Sequence, residues 1–149
     1  MYSPNTVQLP GRSEQTSIND YLLHEELVHG PVHVISGTSG VLEGYLSPGS
    51  AYWMFEDFEF EVRTVFLDKQ LNNGDSGSWV IRDNRLCGYI LSRAVEQPWG
   101  YMLPIEPVLR DILKTLDGRA SFEIPSEATV QQLRQRITLF IGGYSSKEA

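Results

Sequence analysis

Between residues 32 and 103 the apolar residues never gather into a long run. They come as short stretches: Val32 and Val34, Val41-Leu42, Tyr45-Leu46, Phe58 to Val62, Trp79-Val80-Ile81, Leu86 to Leu91, and Tyr101-Met102-Leu103. Turn formers punctuate them at Gly37, Gly40, Gly44, Pro48-Gly49 and Asp83-Asn84. Breaks this frequent suit short antiparallel strands and leave no room for helices of ordinary length. Phe58-Glu59-Phe60-Glu61-Val62-Arg63 alternates with period two, so Phe58, Phe60 and Val62 are expected on a buried face and Glu59, Glu61 and Arg63 on a solvated one. Asp83-Asn84 between two apolar runs is a hairpin signal. The spacing predicts six or seven strands over about 32–103, closed as a small antiparallel barrel or stacked as a sandwich. Tyr52-Trp53-Met54-Phe55 reads as a core strand whose solvated end is Glu56-Asp57, with a binding lip as the alternative.

The flanks carry other patterns. Residues 1–16 are polar and broken by Pro4, Pro10 and Gly11, which predicts a flexible arm. Ser17-Ile18-Asn19-Asp20 resembles a capping box, and the apolar spacing after it predicts a short helix over about 18–28, stopped by Gly30-Pro31. Pro104 opens a second helix in which Ile105, Val108, Leu109, Ile112, Leu113 and Leu116 recur at helical spacing up to Asp117-Gly118. Ser126 can cap a third over 126–141, striped by Val130, Leu133, Ile137 and Phe140. The expected organisation is therefore an arm over 1–16, a mainly β barrel with flanking N- and C-terminal helices over 17–118, and a helical extension over 119–149.

At 149 residues, one domain with its own core is expected. Nineteen acidic against 12 basic residues give a net charge of −7, which argues against a nucleic-acid footprint. No stretch reaches the length of a membrane span, and the N-terminus lacks the apolar run of a signal peptide. Cys87 stands alone, so no internal disulfide forms, and burial as a small apolar residue is its expected state. These features point to a soluble, cytoplasmic protein with no cofactor and no metal. His24 and His29 do not share a helix face and make a poor metal pair.

One stretch carries chemistry: Gly74-Asp75-Ser76-Gly77-Ser78. Flanking glycines allow a tight turn that leaves the Ser76 hydroxyl at a loop apex, and the backbone N–H groups of Gly74 and Ser76 can converge as an oxyanion site. The same string is also ordinary turn chemistry. Gly37-Thr38-Ser39-Gly40 is a plain turn by the same token, since it lacks the lysine and helix of a phosphate loop.

The string and its surroundings resemble the C-terminal barrel of the chymotrypsin-like (trypsin-type) serine proteases. In that family a Gly-Asp-Ser-Gly-Gly string precedes an apolar strand, a turn, a second apolar strand, a Gly-aromatic strand and a helix. Here Trp79-Val80-Ile81, Leu86 to Leu91, Trp99-Gly100-Tyr101-Met102 and the helix after Pro104 follow in that order. The chain also looks like a group of fungal intracellular proteins with a Gly-Asp-Ser/Cys-Gly-Ser-Trp-Val string. The resemblance covers 74–116 well and 32–73 loosely. It implies a protease-like half barrel with Ser76 as nucleophile, Asp75 and Gly77 as motif residues, and Gly74 and Ser76 as oxyanion donors.

The departures weigh against catalysis. Ser78 replaces the closing glycine. Gln70 stands six residues before the serine, where the family floors its specificity pocket, and Leu91-Ser92-Arg93 replaces the pocket wall, so a preference for basic side chains is not implied. The family's histidine and aspartate lie roughly 90–140 residues before the serine, and only 75 residues precede Ser76. Of His24, His29 and His33, none sits in the family's histidine motif; His33, in a predicted strand, is the best candidate base. Two function classes follow. One is a non-catalytic pseudoprotease module for protein interaction, forming a homodimer or binding a protein partner. The other is a serine hydrolase or acyltransferase whose base is His33, another histidine, or a partner's residue.

Overall fold

The structure, a computed structural model, describes residues 5–117 and positions 128, 131, 132, 135 and 136. Nine strands run in chain order: β1 (Thr6–Val7), β2 (Thr16–Ser17), β3 (Asp20–Tyr21), β4 (Gly30–Ser36), β5 (Gly40–Phe55), β6 (Phe58–Leu67), β7 (Trp79–Arg82), β8 (Arg85–Arg93) and β9 (Trp99–Pro104). The 3-10 turn His24–Glu26 precedes β4, and the helix α1 (Ile105–Thr115) follows β9. Strands β4 to β9 pair antiparallel in the order β8-β7-β4-β5-β6-β9, and β8 also pairs with β9. The sheet therefore closes into a six-stranded barrel, and the expected mainly β, antiparallel architecture is present. β3 adds to the start of β8 in parallel, with Asp20 opposite Arg85 and Tyr21 opposite Leu86. Among the described residues no helix is long and apolar enough to cross a membrane.

Alternation along the strands builds two apolar layers on one wall. Val32 and Val34 of β4 point inward with Leu42, Leu46, Val65, Val80, Cys87, Ile90 and Met102, all at most 2% exposed. Outside the wall lies a second cluster: Leu9, Ile18, Ile81, Leu86 and Ile105, with Ile35 and Leu109 against it. A barrel wall with apolar side chains on both faces must be covered. The cover comes from α1 and from the N-terminal segment. Within the segment expected as an arm over 1–16, β1 pairs with β2 (Thr6 opposite Ser17, Val7 opposite Thr16), and Leu9 is 1% exposed.

The helix expected over 18–28 is not formed. The N–H groups of Ile18, Asn19 and Leu22 donate to the carbonyls of Asn5, Asn84 and Leu86 at 2.8, 3.2 and 2.8 Å, which holds the chain extended along β8. That path sends Leu22 and Leu27 into the barrel core and Ile18 into the outer cluster. A helix this short is costly to nucleate and would bury only one stripe. The hairpin at Asp83-Asn84 and the helix after Pro104 lie where expected. The five described positions within the helix expected over 126–141 are helical; the rest of that segment lies outside the described residues.

Two further expectations are corrected at β5 and β6. β4 covers β5 only from Gly40 to Leu46, and β9 covers β6 only from Arg63 to Phe66. After the register break between Leu46 and Ser50, the two strands continue as a hairpin beyond the barrel. Tyr52, Met54, Phe55 and Phe58 are thus 64–75% exposed, and the Tyr52 to Phe55 run is not a core strand. Trp53 lies against Tyr101, ring centroids 4.8 Å apart, and against Phe60 at 6.4 Å. Arg63, placed by alternation on the solvated face, is buried because the chain at Leu27 and the bulge at Ser47 close over it. Its guanidinium donates to both carbonyls.

Candidate functional site

The segment from Asp68 to Ser78 joins β6 to β7. Backbone bonds fix it: Gly77 N–H to the Ile90 carbonyl at 2.7 Å, Ile90 N–H to Ser78 at 2.8 Å, Asp75 N–H to Asn72 at 3.2 Å and Ser78 N–H to Asp75 at 3.1 Å. Gly74 and Gly77 have φ of 96° and 87°, the left-handed region that a side chain resists. Between them Asp75 is 1% exposed while Ser76 faces solvent. Neither the N–H groups of Gly74 and Ser76 nor the Ser76 hydroxyl makes a hydrogen bond among the described residues.

Asp75 anchors the loop from beneath. Oδ1 accepts from the Ser36 hydroxyl and from Thr38 Oγ1 at 2.6 Å. Oδ2 accepts from Ser39 Oγ at 2.8 Å and from the Asn72 N–H at 2.7 Å. Burial pushes this carboxyl up, but the bonds from Ser36, Thr38, Asn72 and Ser39 outweigh it and hold it at about 2. The β4–β5 turn at Gly37-Thr38-Ser39-Gly40 is a turn as expected. Its hydroxyls have a second role that the spacing did not disclose: they hold the chain's own carboxylate. The only signal was a cluster of hydroxyl residues, Ser36, Thr38 and Ser39, which is common in turns.

A cavity of about 250 Å³ opens beside Ser76, lined by Leu71, Asn73, Gly74, Asp75, Ser92 and Arg93 among others. Leu91-Ser92-Arg93 thus reaches this cavity through Ser92 and Arg93; Gln70 does not line it. Gly74, Asp75 and Ser76 are brought together, with Gly77 closing the turn. His33 is not brought to them. It projects from the outer face of β4 and lines a separate cavity with His29, Arg82 and Asp83. His24 Nε2 is paired with Glu61 at 2.6 Å, and His29 Nδ1 shares a hydrogen bond with the Tyr45 hydroxyl at 3.0 Å. No histidine lines the Ser76 cavity. Cys87 is buried in the barrel core, and burial pushes its thiol up to about 11, which keeps it protonated and unreactive. Among the described residues no three His, Cys, Asp or Glu side chains gather as metal ligands.

No protein-family model matches the chain, and no curated protein matches it. Solved structures do. A chymotrypsin of Cellulomonas bogoriensis is similar at 13% identity and a TM-score of 0.55, covering 73% of this chain and 59% of that one. Rv3671c from M. tuberculosis H37Rv, a serine-to-alanine mutant in an inactive form, gives 14% identity and 0.55 over 81% and 65%. The Rv3671c protease in its inactive form gives 16% and 0.52 over 76% and 62%. The fold is therefore that of the chymotrypsin-like serine proteases, and the chain spans less than two thirds of the length of each of these structures.

Proposed function

We propose that this chain is a non-catalytic barrel of the trypsin-like fold that works by binding protein, with the β5–β6 hairpin as its contact surface. The observation that carries this reading is the placement of all three histidines away from Ser76: His24 bonds Glu61, His29 bonds the Tyr45 hydroxyl, and His33 lines the cavity of Arg82 and Asp83. A serine hydroxyl with no base is too weakly acidic to attack well near neutral pH. The Gly-Asp-Ser-Gly turn keeps a structural use without catalysis, since Asp75 ties it to the β4–β5 turn.

The hairpin supports the binding half. Its register puts Trp53 opposite Phe60 and Phe55 opposite Phe58, so these four rings share one face. Glu59 and Glu61 alternate onto the other. Phe55 and Phe58 are 67% and 70% exposed, and among the described residues the outer edges of Ser50–Phe55 and Phe58–Val62 carry no paired strand. Exposed aromatic faces beside unpaired edges mark contact sites. A second copy is the occupant that fits, because two such faces meet without burying a charge even though the chain is acidic overall. Light scattering is expected to show a dimer that Phe55→Ser with Phe58→Ser weakens by roughly a hundredfold, the scale of losing two aromatic anchors. A wild type that stays monomeric at every concentration overturns the second copy as partner.

A second reading has its own observation: the unused N–H groups of Gly74 and Ser76 beside an exposed hydroxyl, which is what a tetrahedral oxyanion requires. Under it, the chain is the nucleophile-bearing barrel of a serine hydrolase or acyltransferase, and a partner or another segment supplies the base.

A further inference from the structure

We propose that the cavity beside Ser76 is a carboxylate-binding pocket, and that Arg93 is the residue that makes it one. The lining offers several unused donors. The N–H groups of Gly74 and Ser76 are unused, as is the Ser76 hydroxyl, and Asn73 brings a side-chain amide. The one carboxylate present, Asp75, already accepts four hydrogen bonds. The Leu71 carbonyl is taken by Arg93 Nη1 at 3.3 Å.

That bond orients the guanidinium and leaves its Nε and Nη2 donors without a partner among the described residues. Among the described residues Arg12, Arg85 and Arg110 are each paired with a carboxylate; Arg93, like Arg63 and Arg82, is not. A half-buried, oriented guanidinium with a free fork matches the two oxygens of a carboxylate. At about 250 Å³ the cavity falls below the roughly 300–1,000 Å³ of sites for drug-sized ligands, so it suits one side chain or one chain end. A doubly charged phosphate would want more than a single cation in a chain of net charge −7. The ligand is therefore a peptide carboxylate, either the side chain of an acidic residue or a C-terminus. This goes beyond the reading above, since the pocket binds whether or not Ser76 reacts and whether or not the hairpin pairs.

Amide chemical shifts test it on the whole chain with three probes: an acetylated tripeptide amide ending in glutamate, the same peptide ending in glutamine, and acetylated trialanine with a free C-terminus. The glutamate peptide, the free acid, or both are expected to move the Gly74 and Ser76 signals, and the glutamine peptide is not. Whichever acidic probe binds identifies the source of the carboxylate. Arg93→Gln should weaken that probe by roughly tenfold or more, the scale of one charge-assisted hydrogen bond, while Arg93→Lys retains the preference for acid over amide. Equal shifts from glutamate and glutamine peptides, no shift at Gly74 or Ser76 from any probe, or unchanged affinity in Arg93→Gln overturns the proposal. The glutamate–glutamine comparison needs only the wild type, so a variant that folds poorly does not shield it.

Discussion

Gly88→Ala is expected to destabilise the barrel by about 3 kcal/mol or more, the upper end of what overpacking costs, because backbone stands in the way. Gly88 sits on the seam where β8 pairs with β9, opposite Pro104. A Cβ built there would lie 2.2 Å from the Leu103 carbonyl oxygen and 2.9 Å from Met102 Cγ. Neither strand can retreat without opening the closure, since β8 is held on its other side by β7, where Gly88 faces Val80. Gly49→Ala serves as the control: its Cβ would meet nothing within 4 Å and it needs no left-handed backbone. Urea unfolding should leave the Gly49 variant within about 0.5 kcal/mol of wild type. A Gly88 variant with the wild-type midpoint would show that the seam is looser than described.

Asp75→Ala should cost about 3 kcal/mol, because the donors that converge on its carboxylate lose their acceptor while the Ser36 hydroxyl stays buried. The same carboxylate gives a pH signature. Its folded value is about 2 against an ordinary 3.8, so it binds its proton less readily folded than unfolded. Its contribution is complete above the ordinary value and is lost as pH falls through about 2. The stability gap between wild type and Asp75→Asn should therefore be constant from neutral pH down to about 4 and then shrink toward pH 2. Glu26, Glu61 and Glu106 are also held below the usual carboxylate range, but they titrate alike in both proteins and cancel in the difference. Denaturation midpoints measured across this range check it; a gap that does not change with pH would mean that the carboxylate is not caged.

What the sequence disclosed is what local periodicity encodes. Val32 and Val34, the Asp83-Asn84 turn and the stripe after Pro104 each announce their element because neighbours in the chain are neighbours in the fold. The missed features depend on partners distant in sequence. Leu9 looks like a stray apolar residue in a polar arm and Ile18 like the start of a helical stripe, yet each fills the layer made by Ile81 and Leu86. The capping pattern at Ser17 is outweighed by the backbone bonds that Ile18, Asn19 and Leu22 make to Asn5 and the β8 region. Strand-like composition located Tyr52 to Phe55 in a strand but not in the core, since burial there depends on where β4 and β9 stop. Within the site, the turn glycines and Ser76 were legible in the string. The cage of Ser36, Thr38 and Ser39 and the position of His33 on the outer wall were not, because both follow from how β4 pairs with β5 and β7.

The central claim, a protease-like turn without a working nucleophile, is tested most directly by reacting the protein with a fluorophosphonate probe and weighing it intact. A general base would give rapid, stoichiometric addition at Ser76. The expected result is that wild type and Ser76→Ala gain adduct equally slowly, with no fast phase in either. Rapid stoichiometric labelling of the wild type that is lost in Ser76→Ala would contradict the claim, and loss of the same labelling in His33→Ala would name the base.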